Sequence, residues 1–209
     1  MTGSEAKENK RKRTLYSLSA AWFRWLHIYI SMLSFASLLF FAITGITLNH
    51  PTWFGGSEQV ESDARGTMPS DILLAKEEDV DKLGIAEWFR AEFDLKGKVV
   101  EFEVDEYECM IVFKGPGYAA DIFVDRELST FMLTETRSSF VAVLNDLHKG
   151  RDSGTGWKWL IDISAVVMIA MALSGFGLLF YLKKRRVSGT IVAAIGTVLL
   201  VCIWYWFVP

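Results

Sequence analysis

The chain has 209 residues, 51% of them hydrophobic and 22% charged, with a formal net charge of −3. That apolar share is high for a soluble domain with so much charge, and it excludes a wholly disordered polypeptide. No P-loop or G-x-G-x-x-G supplies a nucleotide-binding fingerprint, and no nucleic-acid partner is expected. The two cysteines, Cys109 and Cys202, form no C-x-x-C pair, and without a C-x-x-C-H there is no covalent c-type haem attachment. Cys109 stands between apolar blocks and Cys202 within one, so an intrachain disulfide is not expected.

The apolar residues gather in three blocks, near 22–49, 157–182 and 190–208. Lys7, Lys10, Arg11, Lys12, Arg13 and Arg24 precede or open the first block, Lys183, Lys184, Arg185 and Arg186 follow the second, and the segment between is acidic. The positive-inside rule places the N-terminus and the basic turn in the cytoplasm, with the acidic segment and the C-terminus outside. A cleaved signal peptide is a poor reading of the first block, because its apolar core is too long and no small-x-small site follows. The expected fold is a membrane α-helical protein of three transmembrane helices, with a small α+β domain inserted between helices 1 and 2. In order, this gives a cytoplasmic basic tail over 1–21, helix 1 over 22–50 and a periplasmic α+β domain over 51–156. Helix 2 then covers 157–182, a cytoplasmic basic turn 183–189, and helix 3 190–209. The expected location is the bacterial inner (cytoplasmic) membrane.

Residues 1–14 carry no apolar periodicity and read as a solvated tail that orients the first span. Between Ile28 and Leu48 there is no charge, about the length of one bilayer crossing. Trp22 and Trp25 are interfacial aromatics, and Pro51 ends the helix. Ser31, Ser34, Ala42 and Gly45 are small enough to admit a second helix or a flat cofactor. Residues 52–80 read as a linker. Over 85–93 the spacing of Ile85, Trp88, Phe89 and Phe93 predicts a helix. Alternation over 98–104 and 109–114, around D-E-Y-E, predicts a hairpin, with further strands over 118–124 and 129–133. Residues 140–147 predict a short interfacial helix carrying His148 at its end, broken from the second span by Gly150, Gly154 and Gly156. The second span contains Asp162 and a small-residue run through Ala170, Ala172, Ser174, Gly175 and Gly177. Trp204, Tyr205 and Trp206 anchor the third.

The chain has three histidines, and all three fall at membrane edges: His27, His50 and His148. His27 and His50 lie about 34 Å apart along a helix, so no single cofactor spans both. His50 and His148 fall on the same, outer side. Two neutral imidazoles from facing helices are the usual axial pair of a b-type haem, and the alternative is that each caps a helix end or touches headgroups. His27 is alone on the inner side. It is either structural or meets its symmetry mate in a dimer. Asp162, a carboxylate inside a span, either accepts the free ring N–H of a ligating histidine or pairs with Lys158.

R-W-L-H at Arg24–His27, T-G-I-T-L-N-H at Thr44–His50, L-H-K-G at Leu147–Gly150, W-K-W-L-I-D-I-S at Trp157–Ser164 and S-G-F-G-L-L-F at Ser174–Phe180 resemble the PepSY-associated transmembrane family. The segment between the first two spans is similar to a single PepSY-like domain. Within the family the chain looks most like the small VciB-type inner-membrane proteins that promote ferrous iron uptake. The resemblance implies haem b held at His50 and His148, with His27 a further candidate ligand. It implies reduction of periplasmic ferric iron or a ferric chelate, with a quinol or flavin donor inside and a separate ferrous iron transporter as client. Three helices are one short of the four that usually enclose a membrane haem, which favours a homodimer in the lipid bilayer. The competing expectation is a non-enzymatic, membrane-anchored module whose domain binds a peptide, protease or transporter; a periplasmic metal chaperone is a third.

Overall fold

A computed structural model describes residues 3–69 and 80–209, with 3–14 described by backbone alone. Contacts divide the chain into two units, Met1–Leu38 with Ile163–Pro209, and Leu39–Asp162.

The first unit is built from long helices. Helix α1 runs Gly3–Asn49, α4 Gly154–Leu179 and α5 Arg186–Phe207. Leu15–Asn49, Gly154–Leu179 and Arg186–Phe207 are long and apolar enough to cross a membrane. Their side chains are apolar all round, which in water would be untenable and in lipid is required. Helix α1 begins far upstream of residue 22. Its early segment is Ala-, Glu-, Lys- and Arg-rich with no proline, so nothing stops a helix nucleated in the span from propagating back. Within this unit the α1 and α4 segments meet through small residues. A Cβ on Gly177 would lie 2.6 Å from the Phe23 ring, so only glycine leaves room for it. Ser34, 1% exposed, places its hydroxyl 3.1 Å from Met171 Sδ. Such close backbone approach is how apolar helices associate where lipid offers no hydrophobic driving force.

The second unit holds a five-stranded antiparallel sheet. Strands β1 (Gln59–Thr67), β2 (Lys98–Val104), β3 (Glu108–Gly115), β4 (Tyr118–Asp125) and β5 (Thr130–Ser138) lie in the order β1-β5-β4-β3-β2. Directly paired residues share a face, and Ala64, Leu133, Ile122, Ile111 and Phe102 form one line across all five strands. That face packs against helix α2 (Lys82–Phe93), whose Ile85, Ala86 and Phe89 are buried. Phe89 and Phe93 meet Phe131 edge-on at 5.1 and 5.4 Å. Asp81 caps α2 by accepting from Gly84 N–H at 2.9 Å. The opposite face of the sheet is open, with Phe123 and Met132 each 40% exposed. Cys109 is wholly buried in the core, so it cannot bridge two copies.

Strand β1 occupies part of the stretch expected to be a linker; residues 70–79 of that stretch lie outside the described residues. The other four strands and α2 fall where alternation and helical spacing place them. Helix α1 ends at Asn49, before Pro51, and a short 3-10 turn at Trp53–Gly55 follows. Helix α3 (Phe140–Lys149) is capped at its start by Ser139, which accepts from Ala142 N–H, and at its end by Gly150 at φ 67°. Helix α4 begins at Gly154, slightly before the expected Trp157.

Candidate functional site

Two of the three histidines, His148 and His27, share one kind of environment, and His50 has another. In the second unit, α3 is locked on two sides. Asp146 Oδ2 accepts from Gly117 N–H at 3.0 Å, tying the helix to the β3–β4 turn, and Trp157 Nε1–H donates to Leu147 O at 2.7 Å. These bonds set where the last turn of α3 presents His148. His148 Nδ1 lies 2.6 Å from Thr44 Oγ1, and the edge of its ring meets Phe41 at 5.0 Å between centroids. Thr44 is 2% exposed and its hydroxyl sits 2.5 Å from Phe40 O, one helical turn back. One turn further along α1, Thr47 Oγ1 lies 2.6 Å from Asn145 Oδ1 and 3.0 Å from Thr44 O, so a second buried polar pair joins α1 to α3. Gly45 lies beside the ring, where a Cβ would make an ordinary contact at 4.0 Å from His148 Cε1. Burial pushes the His148 pKa down, with the neighbouring Lys149 charge adding to the effect, so the ring is neutral at pH 7.

In the first unit the same pattern recurs around His27. Its Nδ1 lies 3.0 Å from Ser174 Oγ, and the Ser174 hydroxyl donates to Met171 O at 2.8 Å. A Cβ on Gly175 would come within 2.9 Å of His27 Cε1, closer than side chains tolerate, so the imidazole occupies space that only glycine leaves free. For both rings, Nδ1 is the nitrogen with a partner. No hydrogen bond reaches Nε2 of His27 or His148 among the described residues.

His50 is different. Its ring stacks on Trp53 at 3.9 Å and 9° between planes, and its Nε2 lies 3.4 Å from Asn49 Nδ2. No ring contact or hydrogen bond joins His50 to His148; each ring keeps its own partners, Trp53 and Asn49 for His50, Thr44 and Phe41 for His148. Asp162 is exposed on α4, and no hydrogen bond or ion pair links it to a histidine or to Lys158 among the described residues. Among those residues, no group of three or more His, Cys, Asp or Glu side chains is gathered as a bare metal ion would need. The sheet domain carries an open cleft of about 610 Å³, lined by Arg65, Tyr107, Glu108, Phe123, Asp125 and Met132 among others.

Thr44 and Ser174 had entered the sequence reading only through a motif and as a small residue. Nothing in a single sequence shows that a hydroxyl in the first span faces a histidine a hundred residues later. The signal present is weaker: both lie in hydroxyl- and glycine-containing stretches of spans that are otherwise apolar.

A family model for PepSY_TM-like proteins matches residues 21–209. No significant match was found among curated proteins or among solved structures. The match runs through all three apolar helices and the inserted sheet, and a protein with these helices is a multi-pass membrane protein. The chain belongs to the PepSY_TM-like family.

Proposed function

We propose that the protein is a b-haem-containing electron-transfer protein of the bacterial inner membrane, and that it reduces periplasmic ferric iron or a ferric chelate to support ferrous iron uptake. The observation that carries this reading is the state of two imidazoles. His27 and His148 each have Nδ1 held by a hydroxyl, Nε2 without a partner, and a glycine beside the ring. A haem supplies a one-electron Fe(III)/Fe(II) couple and brings four of its own ligands, so it asks the chain only for axial nitrogens. Single imidazoles with a bare Nε2 fit that need, whereas a bare ion would need several side chains together.

His148 and His50 are the residues that would hold haem b on the outer side. His27 would meet its counterpart in a second copy, which makes the protein a homodimer. The basic residues at the N-terminus and after α4 hold those ends in the cytoplasm, where a quinol or flavin carrier donates electrons. The sheet domain and the C-terminus then face the periplasm, next to a separate ferrous iron transporter. The VciB-type likeness supports the same assignment.

The test is spectroscopic. Protein purified from haem-supplied cells should show a Soret band and, with dithionite, sharp b-type α and β bands. His148→Ala and His27→Ala should each lose haem; unchanged haem content in both variants would contradict the ligand assignment. A second reading, a non-enzymatic module that captures a partner strand, is favoured by one feature. Edge strand β2 leaves Val99 and Val100 exposed beside unpaired backbone groups. A haem-free protein that binds a peptide through β2 would bear that reading out instead.

A further inference from the structure

The hydrogen bonds around His27 and His148 decide more than position. A hydroxyl has one proton. The Thr44 oxygen lies 2.5 Å from Phe40 O, a carbonyl that has no proton to give, so the short contact exists only because the Thr44 hydroxyl donates to it. Its proton is then committed, and toward His148 Nδ1, 2.6 Å away, the oxygen can only accept. The proton in that second bond has to come from the ring. The same reasoning holds for Ser174, which donates to Met171 O at 2.8 Å and so accepts from His27 Nδ1 at 3.0 Å. A neutral imidazole carries one N–H, and with that proton on Nδ1, Nε2 is left as a bare lone pair.

We infer that Thr44 and Ser174 are positioning residues that lock His148 and His27 in the Nδ1–H tautomer, presenting Nε2 as the ligating atom. The inference rests on the haem reading for its purpose but not for its geometry. The main-chain carbonyls of Phe40 and Met171 orient the hydroxyls, the hydroxyls orient the rings, and Gly175 leaves the space in which the His27 ring stands. A buried carboxylate would hold the same tautomer with a full charge. An uncharged hydroxyl polarises the ring less, so it sets the proton without pushing the imidazole toward imidazolate.

With only three histidines, 15N labelling of that residue type alone gives spectra simple enough to assign, using His50→Gln to identify the third ring. The protein is prepared without haem in lipid, and magic-angle-spinning 15N spectra read which ring nitrogen carries the proton. The expected result is a protonated Nδ1 and bare Nε2 for both His27 and His148. Thr44→Val should abolish the Nδ1–H signature of His148 and leave His27 unchanged. Ser174→Ala should do the reverse, and Thr44→Ser should restore the wild-type pattern. In haem-loaded samples Thr44→Val should weaken haem binding about 10–100-fold, the usual effect of losing a hydrogen bond behind a ligand. A proton on Nε2 of either ring in the wild-type protein overturns the inference, as does a Thr44→Val spectrum in which His148 keeps Nδ1–H. The wild-type spectrum needs no variant to fold. Intact Nδ1–H signatures in a protein that never takes up haem would uphold this inference and remove the haem reading; haem uptake with Nε2–H rings would do the opposite.

Discussion

Glycine at position 175 is as much part of the His27 environment as the hydroxyl that bonds it. A Cβ there would stand 2.9 Å from the ring, so Gly175→Val should drive His27 out of its place. The expected reading is loss of the His27 Nδ1–H signature together with destabilisation of about 1–3 kcal/mol, the range for overpacking a tight contact. Gly45→Ala should be milder, because a Cβ there meets His148 only at 4.0 Å. In the sheet domain, Phe89 is wholly buried against Phe131, and Phe89→Ala should cost about 3–5 kcal/mol, measured by denaturant unfolding of the full chain in lipid. Tyr118 gives a pH signal. Burial pushes its phenol up to about 12, against a bond from Lys96 N–H that acts the other way and a bond to Glu135 that adds to the rise. A raised folded-state pKa means stability that is fully present below the ordinary tyrosine value of about 10 and lost as pH climbs from there toward 12. Tyr118→Phe should remove that part of the alkaline loss, and an unchanged alkaline profile would contradict it. Histidines and their membrane-edge positions could be read from residue type and hydropathy. Their partners could not, because Thr44–His148 and His27–Ser174 join positions with no periodic relation in the chain.

Helix α3 is the element on which the His148 geometry turns. It is short, and a helix of its length does not hold together in isolation, so its caps and tertiary bonds decide its placement. Ser139→Ala removes the bond to Ala142 N–H and should cost about 1 kcal/mol, with faster hydrogen exchange in the first turn. Asp146→Ala removes the tie to Gly117 and should let the His148 turn drift from Thr44, broadening the His148 ring signals; a sharp, unshifted ring spectrum would show that the tie is dispensable. The spans were legible as long uncharged apolar runs, α2 from its helical spacing, and strands β2 and β3 from alternation. Strand β1 was not. Its sequence, QVESDARGT, is polar and exposed on almost every residue, and it becomes a strand only because β5 offers a full register of backbone partners. Edge strands of this composition carry pairing and little core, so hydrophobic alternation misses them. The upstream extension of α1 was hidden for a related reason, since its charged sequence shows no apolar stripe.

At the scale of the whole molecule, family membership and three spans establish a multi-pass membrane protein, and the orientation proposed from charge can be checked by accessibility. A cysteine placed at Ser57 in the full chain should react with a membrane-impermeant maleimide added to spheroplasts, and one placed at Ser188 should react only after lysis. The reverse pattern would invert the topology and put the sheet domain inside. Cys109 should stay unmodified in either case until the protein is denatured, because it is fully buried and burial pushes its thiol pKa up. The central claim is that imidazoles of this chain carry haem. It is tested most directly by the absorption spectrum of lipid-reconstituted protein from haem-supplied cells, oxidised and then reduced with dithionite. The account predicts a Soret band that sharpens and shifts on reduction, with resolved b-type α and β bands that are lost in His148→Ala. A featureless spectrum after haem supplementation would contradict it.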